Sequence, residues 1–300
     1  MFYTSGNLAT ASYYAPSCVF MNLSVAEDHG VEEKPIYQLV YDGGWTVDEV
    51  IARAKGVQAD LNGDGKMKPK NDMYGVASAT VELTSTQICV GAGIKYCEKD
   101  GDGRLTVDLN NEKTLAVLDK LRQCFCEVTS KDDWSPIFDT FKNDTILFLV
   151  HFVGTSISYR DMDSDFTILP MPKYDAAQES YMSYTNPHAH SYLAVPLIQK
   201  DIERTGFVTE VLEYMSVENV RPTIYDVTYK GKVSRNDDSA RMLDIIFDTT
   251  YIDFNALCSL GGSTQILCDA LFAGKEFVSA YEKKADSINK QLEALMALFE

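Results

Sequence analysis

The sequence lacks an excess of basic residues. Its 300 residues include 27 Lys and Arg against 44 Asp and Glu, a formal net charge of −17 at pH 7. A field of that sign repels phosphate backbones and anionic lipid headgroups. Nucleic acid and the bare membrane surface are therefore not expected partners of this chain.

The sequence also has no apolar run long enough to cross a bilayer. Its longest run covers residues 145–153, whereas a membrane-spanning helix needs about 20 apolar residues. The run is bounded by Asp144 and Gly154, and we expect residues 146–150 to form an interior strand. Residues 1–7 have neither the basic start nor the apolar core of a signal peptide.

Enzyme motifs are missing from the sequence. No G-x-S-x-G, H-E-x-x-H, P-loop or G-x-G-x-x-G pattern occurs. His188 and His190 form a close pair, but without a third ligand nearby we expect no metal site there. The seven cysteines match no zinc spacing, and they predict buried free thiols. Carboxylates are numerous, so a glycoside-cleaving acid–base pair stays open as an alternative.

Strand-like and helix-like segments alternate along the chain, which favours an α/β fold. Thr46 is expected to cap a helix, and Glu49 three residues later would complete a capping box. Apolar spacing predicts the remaining elements. We expect helices near residues 47–57, 115–125, 202–215 and 288–299, strands at 18–21 and 146–150, and a hairpin turn at 99–103.

Residues 60–65 read D-L-N-G-D-G, which matches the first half of an EF-hand calcium loop. Oxygens at alternate positions could coordinate calcium, although the twelfth position holds Asn71 in place of the usual Glu. The expected cofactor is therefore a weakly held structural Ca²⁺, and an acidic turn without metal is the alternative. The predicted ligands are Asp60, Asn62, Asp64, Lys66 (through its backbone carbonyl) and Asp72.

Aromatic residues are plentiful, with 17 Tyr, 14 Phe and 2 Trp. Trp45 precedes a predicted helix and is expected to be a structural anchor. Trp134 lies in the polar stretch 131–136, where an exposed indole could face a ligand. Sugars present apolar C–H faces together with hydroxyls, so their sites combine flat aromatic rings with amides and carboxylates.

Several segments together resemble the extracellular solute-binding proteins of the maltose-binding class (family 1), and they occur in the family's order. Taken singly, each segment is a weak signal. The matching segments are residues 19–22, 42–48 (D-G-G-W-T-V-D), 60–65 followed by Tyr74-Gly75, 165–173 (D-F-T-I-L-P-M-P-K) with Gln178 and Tyr181, Val195-Pro196, and Arg235 with Asp237.

The resemblance implies an α/β, type II periplasmic-binding-protein-like fold of two lobes, with the N-terminal part of the first lobe missing. Residues 1–12 would be the remnant of the first hinge crossing, and 13–180 the second lobe. Residues 181–235 would be the remaining first-lobe segment, and 236–300 the C-terminal helices of the second lobe.

The function that the resemblance implies is non-catalytic. The chain would bind a sugar or oligosaccharide between two lobes by hinge closure, as part of an ABC-type import system. Its partners would be the ligand and the permease subunits. The full-length protein would be an extracellular, cell-surface lipoprotein whose lipid anchor is absent from this chain. A remnant without binding function and a glycoside-active enzyme are the alternatives.

The resemblance also implies where the ligand would lie. Its contacts would come from the end of the buried strand, at His151 and Phe152, and from the crossing segment, at Tyr184 and Asn186. Trp134 joins these candidates on exposure and chemistry alone.

Overall fold

The computed structural model describes residues 3–68, 71–127, 129–130, 139–196, 198–233 and 236–298. Its centre is a five-stranded mixed sheet of order β6-β3-β7-β2-β8. Strands β3, β6 and β7 are parallel to one another, and β2 runs antiparallel to β7 and β8. The strands are β2 Ser17–Asn22, β3 Tyr74–Ser78, β6 Thr129–Ser130, β7 Ile146–Phe152 and β8 Phe166–Leu169.

Short strand pairs lie around this sheet. Strand β1 pairs antiparallel with β10, β4 with β5, and β9 pairs parallel with β11. Their bounds are β1 Tyr3–Thr4, β4 Glu98–Lys99, β5 Leu105–Thr106, β9 Ser183–Tyr184, β10 Leu193–Ala194 and β11 Thr250–Tyr251. The β4–β5 pair confirms the predicted hairpin turn at residues 99–103.

Helices cover both faces of the central sheet. They are α1 Leu23–Asp28, α2 Glu33–Tyr41, α3 Val47–Lys55, α4 Val81–Gly91, α5 Glu112–Glu127, α6 Ile202–Arg221, α7 Asp237–Asp248, α8 Phe254–Cys258, α9 Ser263–Phe272 and α10 Phe277–Met296. Short 3₁₀ helices cover Thr10–Tyr13, Val153–Tyr159 and Leu260–Gly262, and a π-helical segment covers Pro222–Val233. None of the helices in the described ranges has the length and apolar character that a membrane span requires.

The interior strand predicted over residues 146–150 is confirmed. Strand β7 extends to Phe152, and every one of its side chains is buried, as is every side chain of β2. Trp45 is the structural anchor that the sequence predicts: it is fully buried, and its indole Nε1 donates to the carbonyl of Pro170 at 3.0 Å.

Two expectations about local structure need correction. Thr46 does precede α3, but its side chain makes no capping hydrogen bond. The extended segment beside the helix instead contributes a backbone contact, since the carbonyl of Lys173 accepts the N–H of Val47, the first helical residue, at 2.8 Å. Burial of the free cysteines holds for Cys18, Cys89, Cys97 and Cys268, whereas Cys258 is exposed. The side chains of Cys124 and Cys126 lie outside the described residues.

The segment beyond β9 leads to helix α6, which is tied to the start of the chain. The Glu213 carboxylate accepts the backbone N–H groups of Asn7 and Leu8 at 2.7 and 2.9 Å. Helix α7 returns to the central sheet and packs beneath β8, with Met242, Leu243 and Ile246 buried. The lobe boundaries proposed from the sequence stay predictions.

Gly75 should be intolerant of any side chain. A Cβ atom there would lie 2.2 Å from the carbonyl oxygen of Ala54, because β3 presses directly on α3. We expect Gly75→Ala to lower the free energy of unfolding by about 2–3 kcal/mol through overpacking. Urea denaturation measures the change.

The matched control is Gly101→Ala, in the exposed hairpin turn where a Cβ atom meets nothing within 4 Å. It should change stability by less than about 0.5 kcal/mol. Equal effects of the two substitutions would contradict the packing of β3 on α3.

Candidate functional site

The ends of several strands meet at one edge of the central sheet. Ser17 at the start of β2 lies opposite Phe152 at the end of β7, and Ser78 at the end of β3 pairs with Val150 of β7. The chain reaches this edge along two segments that lie side by side, since Pro16 forms a bridge with Thr185. We call this region the crossing edge, defined by residues 10–17, 151–157 and 184–190.

Tyr14 is the exposed aromatic residue at the centre of the crossing edge. Its side chain is 41% exposed, and the centroid of its ring lies 6.5 Å from the centroid of the Phe152 ring. The ring covers Gly154 so closely that a Cβ atom on residue 154 would lie 1.9 Å from Cδ2 of Tyr14. The backbone N–H of Gly154 also donates to the carbonyl of Tyr14 at 3.1 Å. The absence of a side chain at residue 154 therefore fixes where this ring lies.

His151 belongs to the crossing edge, and its side chain is buried. Its Nδ1 accepts the backbone N–H of Phe152 at 2.8 Å and is 2.5 Å from the hydroxyl of Thr155. Burial lowers the pKa of His151 to about 4. The imidazole is therefore neutral at pH 7, with Nδ1 as the acceptor. Phe152 is 5% exposed, and its ring lies beside the Tyr14 ring.

The two crossing-segment candidates differ in exposure. Tyr184 is 3% exposed and lies in the core, where desolvation raises the pKa of its phenol. Asn186 is half-buried: its backbone N–H donates to the carbonyl of Ala15 at 3.4 Å, and its Oδ1 accepts the N–H of His188. The structure thus places Phe152 beside the Tyr14 ring and Asn186 against the backbone of Ala15, and it turns Tyr184 inward. Trp134 lies outside the described residues.

Two cavities flank the 3₁₀ helix Thr10–Tyr13, and neither is lined by a charged residue. One has a volume of about 320 Å³ and is lined by Ser5, Gly6, Asn7, Ser12, Tyr13, Thr185, His190, Phe247, Thr250 and Ile252. The other has about 440 Å³ and is lined by Thr10, Ala11, Tyr14, Ile157, Ile224, Thr228 and Tyr229. Their walls combine aromatic rings with hydroxyls, an amide and an imidazole.

The first cavity contains polar atoms that lack partners. Within the described part of the chain, Thr185 Oγ1 and His190 Nδ1 are buried with no hydrogen-bond partner. Burial also lowers the pKa of His190, so this lining is neutral. Buried polar groups are normally satisfied, which makes them candidate contacts for a polar, uncharged ligand. Sequence reasoning missed Tyr14 and His190; the Tyr13-Tyr14 doublet just before β2 was the available signal.

In the predicted calcium loop, the side-chain oxygens accept hydrogen bonds from backbone N–H groups of the same loop. The Asp60 carboxylate accepts the N–H groups of Gly63 and Gly65, each at 2.7 Å. Asn62 and Asp64 accept the N–H groups of the residues two positions later. Asp72 is buried and accepts the N–H of Leu61 at 3.0 Å and that of Lys68 at 2.6 Å. In the described ranges, no three His, Cys, Asp or Glu side chains are placed to hold a metal.

Protonation of His151 should destabilise the fold. Its folded pKa of about 4 lies below the ordinary value of 6.5, so below pH 6.5 the unfolded chain binds a proton that the folded chain does not. We expect this group to remove about 2–3 kcal/mol of stability as the pH falls from 6.5 to 4, with the loss levelling off below about pH 3. Urea denaturation at several pH values measures the loss.

The comparison variants are His151→Asn, which cannot titrate, and His188→Asn, which changes an exposed imidazole. The difference in stability between wild type and His151→Asn should shrink towards acid pH, while His188→Asn should follow the wild type. A pH-independent difference for His151→Asn would show that the imidazole is not held neutral.

The chain is similar to known proteins in structure and not in sequence. No protein-family profile matches the chain, and no curated protein matches it in sequence. Solved structures do match. The substrate-binding protein Lmo0181 of Listeria monocytogenes, in complex with cycloalternan, aligns with a TM-score of 0.60 at 13% identity, over 94% of this chain and 71% of its own.

Two MalE proteins align equally well. MalE of Bdellovibrio bacteriovorus, bound to maltotriose, has a TM-score of 0.62 at 15% identity over 97% of this chain and 73% of its own. MalE of Xanthomonas citri has a TM-score of 0.63 at 11% identity over 96% and 71%. At such identities the likeness establishes the fold alone. This chain has the α/β, periplasmic-binding-protein-like fold of the two-lobed ABC substrate-binding proteins, matching about 71% of their length.

Proposed function

We propose that this chain is the non-catalytic carbohydrate-binding component of an ABC-type import system. The observation that carries the proposal is the Tyr14 ring, 41% exposed and seated on Gly154 at the crossing edge. A flat ring held in this way fits the C–H face of a pyranose, and the neighbouring amide and hydroxyls suit its hydroxyl groups. Hinge closure of two lobes over the edge would bury the ligand.

The charge distribution supports a neutral ligand. The chain carries a net charge of −17, yet the residues that line both cavities at the crossing edge are uncharged. An anionic ligand would meet a repulsive field without a cation to bind it, and a cationic ligand would lack a carboxylate partner. The cycloalternan and maltotriose held by two proteins of the same fold are neutral sugars of this kind.

The partners and location follow from the proposed role. The chain would deliver its sugar to permease subunits on the outer face of the membrane, as an extracellular, cell-surface lipoprotein. Two alternatives remain open to test. A remnant without binding function predicts no response to any sugar, and a glycoside-active enzyme predicts cleavage products, which chromatography of the incubated sugar would detect.

Loss of the Tyr14 ring should weaken sugar binding. We expect Tyr14→Ala to reduce affinity for the best ligand in a panel of neutral oligosaccharides that includes maltotriose by about 1–3 kcal/mol, the scale for an aromatic contact in a binding site. Gly154→Ala should have a similar effect, because its methyl group would occupy the position of the ring. Calorimetric titration measures both affinities, and melting curves confirm folding.

Tyr41→Ala is the matched control, since Tyr41 is 40% exposed on α2, away from the crossing edge. Its sugar affinity should equal that of the wild type. Trp134→Ala and Tyr184→Ala are also expected to weaken binding by about 1–3 kcal/mol, and the burial of Tyr184 adds a loss of stability. Unchanged affinity in both Tyr14→Ala and Gly154→Ala would exclude this site.

We also propose a structural Ca²⁺ in the loop of residues 60–72. Asp60, Asn62 and Asp64 would supply side-chain oxygens, the Lys66 carbonyl a fourth and Asp72 a fifth. Because a ligand that binds only the folded state stabilises it, calcium should raise the melting temperature, and Asp64→Ala should abolish the gain. Asp102→Ala, in the other acidic turn, is the control and should keep it. Identical melting curves in calcium and in chelator would refute the site.

A further inference from the structure

The two cavities at the crossing edge differ in the chemistry of their walls. The cavity of about 320 Å³, which we call the polar cavity, is lined mostly by hydroxyl, amide and imidazole side chains: Ser5, Asn7, Ser12, Thr185, His190 and Thr250. The cavity of about 440 Å³, which we call the apolar cavity, is lined mostly by aliphatic and aromatic side chains: Ala11, Tyr14, Ile157, Ile224 and Tyr229. The 3₁₀ helix Thr10–Tyr13 separates them.

The polar cavity requires a hydrogen-bond donor from its ligand. Ser5 Oγ lies 2.5 Å from His190 Nε2, and it donates to the carbonyl of Ser191 at 2.9 Å. A hydroxyl has one proton, so Nε2 must carry the ring proton and donate it to Ser5. Nδ1 of the same ring, which has no partner in the described part of the chain, is then an acceptor. A sugar hydroxyl is a donor that suits it.

The apolar cavity offers little to a sugar. The side chains of Ala11, Ile157 and Ile224 have no hydrogen-bonding group, and the Thr228 hydroxyl in the same wall already donates to the carbonyl of Thr223 at 3.1 Å. A sugar ring pressed against this wall would lose hydrogen bonds to water without replacing them. An apolar group would lose none.

Ile157 places an apolar surface beside the ring that the proposed sugar site uses. The 3₁₀ helix Val153–Tyr159 is largely buried, whereas Ile157 is 46% exposed. Because side chains three residues apart are aligned in a 3₁₀ helix, Ile157 lies on the same side as Gly154, which the Tyr14 ring covers. A ligand stacked on Tyr14 therefore has Ile157 as its next neighbour, and covering that side chain with an apolar group is favourable.

We propose that the ligand is a glycoside with an apolar aromatic aglycone. Its sugar stacks on Tyr14 with hydroxyls in the polar cavity, and its aglycone fills the apolar cavity against Ile157. A cavity of about 150 Å³ holds benzene, so about 440 Å³ has room for a substituted ring. This inference rests on the proposed sugar-binding function and narrows its class of ligand.

Calorimetric titration with paired ligands tests the inference. Each sugar of a panel that includes glucose, galactose and maltose is supplied as its methyl and its phenyl glycoside, of the same anomer. For the best-bound sugar, we expect the phenyl glycoside to bind about tenfold more tightly or better, because its ring is removed from water.

Ile157→Asn should reduce that preference to less than about twofold and leave the affinity for the methyl glycoside unchanged, because it makes the wall of the apolar cavity polar. Ile202→Asn is the matched control. Ile202 is 69% exposed and lines neither cavity, so this variant should keep the full preference. Both side chains are exposed, and both variants should melt like the wild type.

The outcomes separate this inference from the proposed function. Saturable binding of methyl and phenyl glycosides with equal affinity would overturn the aromatic aglycone and keep sugar binding. A phenyl preference that survives Ile157→Asn would overturn the assignment to the apolar cavity. Binding of phenyl glycosides alone, abolished by Ile157→Asn, would support the inference. No binding of either glycoside of any sugar would overturn both the inference and the proposed function.

Discussion

The register of β2 against β7 is the constraint on which the crossing edge depends. Ser17 pairs with Phe152, and the same alignment continues beyond the strands, where the N–H of Val153 donates to the carbonyl of Pro16 at 2.8 Å. It brings Tyr14 over Gly154. Because side chains alternate between the faces of a strand, a shift of one residue would turn Phe20 and every other buried side chain of β2 to the opposite face. The position of one exposed ring is therefore secured by a wholly buried strand pair.

The crossing edge differs from the rest of the molecule in its charge. The net charge of −17 repels anionic partners. The residues that line the cavities at the crossing edge carry no charge, and burial favours the neutral imidazoles of His151 and His190. In the proposed role, such a site would select its ligand through shape and hydrogen bonding.

The sequence alone was sufficient to predict those elements that depend on local interactions. The uncharged run at residues 146–150 had to be interior, and the D-G-D-G turn had to join two strands. Two of the predicted site residues, Phe152 and Asn186, lie at the crossing edge, and their role in binding stays a prediction. The sequence did not identify the exposed ring, because exposure depends on how the 3₁₀ helix before β2 and the crossing segment pack on the sheet: Tyr184 is buried and Tyr14 exposed. The exposure of the apolar residues of α6 could not be predicted either, because helical spacing predicts an apolar stripe and not what covers it.

The central claim is that a neutral sugar binds at the crossing edge, and nuclear magnetic resonance tests it most directly. A sample labelled with ¹⁵N and with ¹³C-tyrosine is titrated with the best-bound oligosaccharide of the panel. We expect saturable shifts of the Tyr14 ring and of the backbone amides of Gly154 and Asn186, with those of the distant α10 unchanged. Saturable shifts confined to other parts of the chain, or none at millimolar sugar, would contradict the account.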